Sequence, residues 1–392
     1  MRSKPQSYEG VALVAPVSVP YVRHSDHGAA YFIGRALKAL IDATGLEKSD
    51  VDGLAVASFS LAPDSAVALS EHFGLRPRFL EHVPMGGASG IVSLRRAARA
   101  VQAGDADVVA CIGGDTLAKD GFADLIANFS RFSTDAIIPY GAAGPNGVFA
   151  GITQNYMARY SVTREDFGRI CLSQRRNAQS FPHALLQKPL TMEDYLNARP
   201  IAGPLHLFDC VMPCAGADGF LVMSSVRAKK LGLAFAEILS AAELHNADPE
   251  DPVATQGGWA QYRDTLYEAA GRGPQEMDFL QTYDDYPVIV MMQIEDLGFC
   301  AKGAAARFVR ETSLDVEGGG LPHNTSGGQL SRGQAGAAGG FLGLVEGLRQ
   351  VTGQALGAAI PNARTGLVSG YGMVNYDRCL ATAAAVIARG TP

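Results

Sequence analysis

Four consecutive residues, Tyr283, Asp284, Asp285 and Tyr286, place two carboxylates and two phenols in the stretch QTYDDYPVIVMMQIEDLGFC at 281–300. Such groups can hold and move a proton beside a reacting bond. The stretch follows a strand-like MDFLQ and reads as the opening of a helix. Acids at a helix start also cap free amides and complement the dipole, and Tyr286 would suit an apolar core equally well. Three glycine-rich stretches accompany it: MGGASG at 85–90, HNTSGGQLSRGQAGAAGG at 323–340 and VSGYGMV at 368–374. Each is read as a point where a strand meets a helix. A glycine-headed helix exposes backbone N–H groups that suit a carbonyl oxygen or an anion. The plain alternative is that glycine lets two helices pack closely. His323 opens the second stretch, and a lone histidine is more often a hydrogen-bonded structural residue than a catalytic one.

Composition narrows the class. The 392 residues are 47% hydrophobic and 18% charged with a formal net charge of -6, which suits a large core and argues against a nucleic-acid partner. No apolar run approaches the ~18 residues of a membrane helix. VALVAPVSV near the N-terminus is short and interrupted by Pro16, so it reads as a first strand rather than a leader. The six cysteines, at 111, 171, 210, 214, 300 and 379, form no disulfide framework, which points to the cytoplasm. Cys210 and Cys214 form a C-x3-C pair, but no second pair follows at zinc-site spacing, so no metal is expected.

The elements that must position these groups alternate between strand and helix. GVALVAPVSV, VDGLAVASF and DADVVACIGG read as strands. AAYFIGRALKALIDATG, ending at Gly45, and SGIVSLRRAARAVQAG read as helices, as does DSAVALSEHFG with an aspartate cap. This alternation implies βαβ units and mostly parallel sheets. The chain also repeats itself. LIDATGLEKSDVDGL at 40–54 matches LYEAAGRGPQEMDFL at 266–280, with Leu40/Leu266, Gly45/Gly271 and Asp52/Asp278 in register. GIVSLRRAARAV at 90–101 matches GFLGLVEGLRQV at 340–351, pairing Gly90 with Gly340. Two copies of one α/β domain are expected, residues 1–225 and 226–392. An inserted cap spans about 115–205, and its Phe122, Phe129, Phe132, Tyr140 and Tyr156 read mainly as its own core.

These segments resemble the thiolase superfamily over nearly the whole chain, and most closely its sterol-carrier-protein-thiolase branch. CVMPCAGADGFLVMSS at 210–225 is similar to the segment that closes the first thiolase half. YDDYPVIVMMQIEDLGFCAKG stands where that branch has His-Asp-Cys-Phe followed by a helix. NTSGGQLSRGQAGAAGG is similar to its Asn-Pro-Ser-Gly-Gly and Gly-His-Pro segments. The resemblance implies a thiolase fold, a coenzyme A thioester as substrate and no covalently bound cofactor. It further implies a homodimer and association with a small OB-fold, zinc-ribbon protein.

The departures decide the chemistry. Gly87 stands where a thiolase carries its nucleophilic cysteine, Gln334 where it carries the catalytic histidine, and Tyr283 at the first histidine of His-Asp-Cys-Phe. Tyr371 lies where many thiolases have a second cysteine. Glycine offers no nucleophile and glutamine takes up no proton, so acyl transfer to a cysteine is absent. Enolate stabilisation survives, and a retro-aldol cleavage of a β-hydroxyacyl thioester needs no cysteine. Cysteine-free relatives act as such lyases with tyrosine in place of histidine. Tyr283 fits that pattern; Gln334 departs from it, because those lyases carry a tyrosine there too. On this reading Tyr283, its pKa lowered by a neighbouring donor, takes the hydroxyl proton, and Asp284 or His323 relays it. Amides near Gly87 and Gly328, the Gln334 side chain, Asn324 and Tyr371 shape the oxyanion and substrate pocket. The alternatives are a supporting subunit of a multi-protein acyltransferase or lyase, and a condensing or acetyl-transfer enzyme with an unrecognised nucleophile.

Overall fold

The structure is a computed structural model that describes residues 7–121, 123, 139, 144–248, 250, 253–375 and 378–391. Eleven strands are found among them: β1 (Val11–Val22), β2 (Gly53–Ala57), β3 (Phe79–His82), β4 (Val108–Asp115), β5 (Pro200–Ala202), β6 (Leu205–His206), β7 (Ala215–Ser224), β8 (Phe235–His245), β9 (Phe279–Gln281), β10 (Thr365–Asn375) and β11 (Arg378–Arg389). Nine of them form one sheet in the order β3-β2-β4-β7-β1-β8-β11-β10-β9. Beyond the edge strand β3, the runs β2-β4-β7-β1 and β9-β10-β11-β8 follow the same plan, and β1 meets β8 antiparallel at the centre.

The paired segments of the sequence occupy equivalent places. The helices Ala29–Thr44 and Trp259–Ala270 both end on a left-handed glycine, Gly45 at φ 66° and Gly271 at φ 64°, a conformation that costs a side chain about 1 kcal/mol or more. Asp52 then accepts the Val108 amide at 2.9 Å, and Asp278 accepts the Thr365 amide at 2.9 Å. Each aspartate thereby ties the start of one strand to the next.

The sheet is mixed rather than mostly parallel. Parallel pairing is confined to β2/β3, β2/β4 and β9/β10, and the other pairings are antiparallel. The reason is connectivity: β10 turns directly into β11, which forces an antiparallel pair. At the matching point of the first half, between β4 and β7, the chain makes its long cap excursion. Phe122, Phe129, Phe132 and Tyr140 lie outside the described residues; Tyr156 lies within. The cap helices Gly144–Tyr160 and Arg164–Gln179 pack on the second half, not the first. Tyr156 donates to Glu295 at 2.6 Å, and Asn177 donates to the His323 carbonyl at 2.8 Å. A smaller revision concerns the helix Ala66–Phe73, whose cap position is Ser65 with no side-chain bond, so no aspartate caps it.

Between the two half-sheets run the helices Ser89–Ala103 and Gly339–Thr352. Leu94 and Ala97 of one and Phe341, Leu344 and Leu348 of the other share a core with Val109, Cys111, Phe220, Phe279, Val368 and Ile387. The helix Ala29–Thr44 covers the outer face of the first half, while Trp259, Met291 and the cap cover the second. The layers are therefore helix, sheet, helix, sheet, helix. The central helices cross at the matched glycines, where a Cβ on Gly90 would lie 2.3 Å from the Gly340 carbonyl oxygen. Gly90→Ala is expected to cost about 1–3 kcal/mol through overpacking. Urea denaturation measures this, and an unchanged midpoint would show that the crossing relaxes freely.

Candidate active site

The loop from Thr282 to Tyr286 joins β9 to the helix Pro287–Asp296. Pro287 occupies the first helical position and Tyr286 is the extended cap residue, so Tyr283, Asp284 and Asp285 precede the helix instead of forming its first turn. Two amides hold the loop. Gln293, fully buried on that helix, accepts the Tyr283 N–H at 3.2 Å and donates to the Tyr283 carbonyl at 2.7 Å, and Ser369 donates to it at 2.7 Å. Asn324, in a left-handed conformation at φ 43°, accepts the Thr282 N–H at 2.8 Å. Pinning a residue through both its backbone groups fixes where its side chain emerges.

That side chain points at the head of the helix Ser89–Ala103. A Cβ built on Gly87 would lie 2.1 Å from Cε2 and 2.3 Å from Cζ of the Tyr283 ring. The phenol thus fills the volume that a nucleophilic side chain at residue 87 would need. The Gln334 Nε2 lies 3.1 Å from the Tyr283 hydroxyl and 3.0 Å from Gln329 Oε1, and it also donates to Asp285 Oδ1. Gln334 Nε2 thus bridges the phenol and the Asp285 carboxylate. Burial first, and the neighbouring Asp285 and Asp284 charges next, hold the Tyr283 phenol well above its ordinary pKa; only Gln334 lowers it. The expected lowering is therefore overturned, and Tyr283 rests as a neutral phenol. Burial pushes Asp285 up to about 7 and Asp284 up to about 6.

The two adjacent aspartates have different partners. Asp284 accepts the backbone amides of Gln329 at 3.0 Å and Leu330 at 3.2 Å and the Gln329 side chain at 3.3 Å. It caps the short helix Gly328–Arg332, and Gly328, at φ 58°, has no Cβ because one would meet Asp284 Oδ2 at 2.1 Å. Those amides are consequently engaged by a carboxylate, and Asp284 ties the loop to that helix. His323 is also revised. Its Nε2 lies 2.8 Å from the Thr282 hydroxyl, its ring is fully buried, and desolvation lowers its pKa to about 3. It is a neutral structural histidine. The Tyr371 ring packs on Phe149 and Trp259, at 5.8 and 6.1 Å between centroids, while its carbonyl lies against Gly87. VSGYGMV belongs to β10 and heads no helix. The head of the helix Gly339–Thr352 is approached by Asp115, which accepts the Ala337 amide at 2.6 Å and bonds with Ser58 and Ser60.

The structure brings Tyr283, Gln334 and Gly87 together and adds Asp285, which the sequence named only among the acids at the helix start; Gln293, Gln329 and Asp115 were missed. Local pattern separated neither Asp285 from Asp284 nor Gln293 from an ordinary core position. All six cysteines are free, and burial raises the pKa of each, to about 12 for Cys210, Cys300 and Cys379. None is held as a reactive thiolate, which tells against a condensing enzyme with a hidden cysteine nucleophile.

The layered duplicated sheet and the paired central helices define a thiolase fold, and residues 241–383 match the family described as thiolase C-terminal domain-like. The chain is 30% identical to a steroid side-chain-cleaving aldolase of Thermomonospora curvata, over 88% of this chain and 91% of that one. It is 32% identical to the 17-hydroxy-3-oxo-4-pregnene-20-carboxyl-CoA lyase of Mycobacterium tuberculosis, covering 81% and 84%. The solved structure described as Ltp2-ChsH2(DUF35) aldolase superposes with a TM-score of 0.85 at 28% identity, over 99% of both chains. The chain belongs to the thiolase superfamily, in its sterol-carrier-protein-like aldolase branch. Its chemistry is that of an aldol-type carbon–carbon lyase rather than a standard thiolase.

Two outcomes follow from this geometry. Gly87→Cys is expected to lose about 1–3 kcal/mol by displacing the Tyr283 ring, and to form no acyl-thioester with acetyl-CoA. Thermal unfolding and intact-mass measurement check both, and stable acylation would refute the second. His323 is neutral in the folded state down to about pH 3, whereas the unfolded chain protonates it near pH 6.5. Stability is therefore lost as pH falls from about 6.5 towards 3. His323→Gln is expected to flatten that loss when urea midpoints at pH 7 and pH 5 are compared with the parent's.

Proposed function

We propose that this protein cleaves the Cα–Cβ bond of a β-hydroxyacyl-CoA in a retro-aldol reaction, releasing an aldehyde or ketone and a shortened acyl-CoA. The observation that carries this reading is the Tyr283 phenol, set in the volume a cysteine nucleophile would require and hydrogen-bonded to Gln334. When the hydroxyl proton leaves and the carbon–carbon bond breaks, its electrons pass into the thioester carbonyl as an enolate. The backbone amides at the Gly87 turn supply donors to that oxygen. Tyr283, neutral at rest, supplies a proton at the reacting centre.

The acyl group is read as bulky and apolar, of the steroid side-chain kind that the two relatives' names specify. Tyr286 stacks on Phe149 at 4.2 Å, with Tyr371 and Trp259 behind, so buried aromatic rings back the loop. Residues 1–225 and 226–392 are read as the two halves, and the cap from about 115 to 205 as the part that shapes the acyl site. The DUF35 component named in the structural relative supports a small OB-fold, zinc-ribbon partner, and we read the working unit as a homodimer carrying it. Six free thiols suit a cytoplasmic location, and among the described residues no helix is long and apolar enough to cross a membrane. The supporting-subunit alternative is less favoured, because an inert scaffold has no need of a buried phenol, carboxyl and amide converging on one helix head.

With the co-purified small partner present, the protein is expected to release carbonyl product from a β-hydroxyacyl-CoA. Tyr283→Phe, which keeps the ring that fills the Gly87 space, should lower kcat roughly 100-fold or more. Chromatographic detection of the aldehyde or ketone reads this directly, and full activity in the variant would remove Tyr283 from the chemistry.

A further inference from the structure

We infer that Asp285 is the base of this reaction: its carboxylate takes the β-hydroxyl proton while the Tyr283 phenol protonates the enolate carbon. The inference rests on the lyase reading above and adds a residue to it.

A retro-aldol step moves a proton from oxygen to the α-carbon, so the site must both accept and donate one. Asp284 has both oxygens engaged by the amides of Gln329 and Leu330 and by the Gln329 side chain. His323 is buried on Thr282 and stays neutral without bonding to Tyr283. Gln334 cannot accept a proton at its nitrogen. Asp285 remains: it accepts from Gln334 Nε2, which also lies on the phenol, and it is partly exposed, whereas Asp284 is only 1% exposed. Gln334, also partly exposed, lies on that side of the site.

Electrostatics agrees with this placement. The titratable groups that face Asp285 are Tyr283 and Asp284 on its own loop and the neighbouring Tyr286; the Gly-rich segment contributes Gln334, which is neutral. Burial and the Asp284 charge push Asp285 up to about 7, against the pull of its Tyr283 and Gln334 hydrogen bonds. A carboxylate near 7 is a far better proton acceptor than an ordinary one and is still largely ionised just above neutrality. The proton balance closes within the pair. Asp285 gains the hydroxyl proton as the Cα–Cβ electrons form the enolate, Tyr283 gives its own proton to Cα, and Asp285 returns a proton to the phenolate. No oxidant, reductant or external acid is consumed.

The test compares the complex carrying the parent chain, Asp285→Asn and Asp285→Glu, with kcat and KM measured from pH 5.5 to 8.5. The parent's kcat/KM should fall tenfold per pH unit below about pH 7. Asp285→Asn should lose about 100-fold or more in kcat with little change in KM, and its residual rate should lack that acid limb. Asp285→Glu should regain part of the rate and of the limb. Infrared pH-difference spectra of the same proteins should show a carboxyl protonating near pH 7 in the parent and not in Asp285→Asn. An Asp285→Asn enzyme that keeps the limb and nearly the full rate overturns the inference, as does a parent whose spectrum shows no such carboxyl. A parent that shows the carboxyl but cleaves no β-hydroxyacyl-CoA sinks the lyase reading and this role with it. Active parent and unaffected variant sink the role alone.

Discussion

One volume at the head of the helix Ser89–Ala103 can hold one side chain, and here the Tyr283 ring holds it. A Cβ on Gly87 would overlap the ring, so residue 87 and residue 283 are a single choice made at two distant points in the chain. Much of the surrounding architecture serves that contact. Gln293 grips the Tyr283 backbone from both sides, and the glycines of β10 let that strand press against the helix head. A Cβ on Gly370 would meet the Gly87 carbonyl at 2.6 Å, and one on Gly372 would meet the Met85 carbonyl at 1.9 Å. The third glycine-rich stretch is thus explained by close packing rather than by amide donation. The same holds for Gly90 and Gly340, where the duplicated helices cross.

Neighbouring acids of identical type acquire different properties from what packs against them. Asp284 is drawn onto the amides of a five-residue helix, where it fixes the loop. Asp285, one residue on, faces Tyr283 and Gln334. Asp115 shows the structural role at its fullest, binding the Ser58–Ser60 turn and the Ala337 amide and so joining the two halves at the head of the helix Gly339–Thr352. In a low-dielectric interior a carboxylate with that many donors stabilises its surroundings, whereas one with few is available for proton transfer.

The cap also takes its meaning from the fold. It leaves the first half between β4 and β7, yet its helices lie on the second half, bonded to Glu295 and to the loop that bears His323. In this way a segment inserted in one copy becomes part of the wall around a loop of the other. Where the second copy makes a direct turn from β10 to β11, the first spends some hundred residues; the pseudo-symmetry of the sheets is preserved while that of the surface is broken.

The sequence alone determined the periodic elements, the duplication and the missing sulfur. Each is written in local spacing or residue identity: Gly45 with Gly271, Asp52 with Asp278, and a glycine where a cysteine would be needed. It also singled out Tyr283 and Gln334, through their place in a recognisable segment. It did not decide which aspartate is committed to a helix cap, that His323 is spent on Thr282, or that Gln293 holds the phenol's backbone. Those depend on amides and side chains tens of residues away, and a carboxylate's or imidazole's chemistry is set by desolvation and hydrogen-bond partners that exist only once the chain has folded.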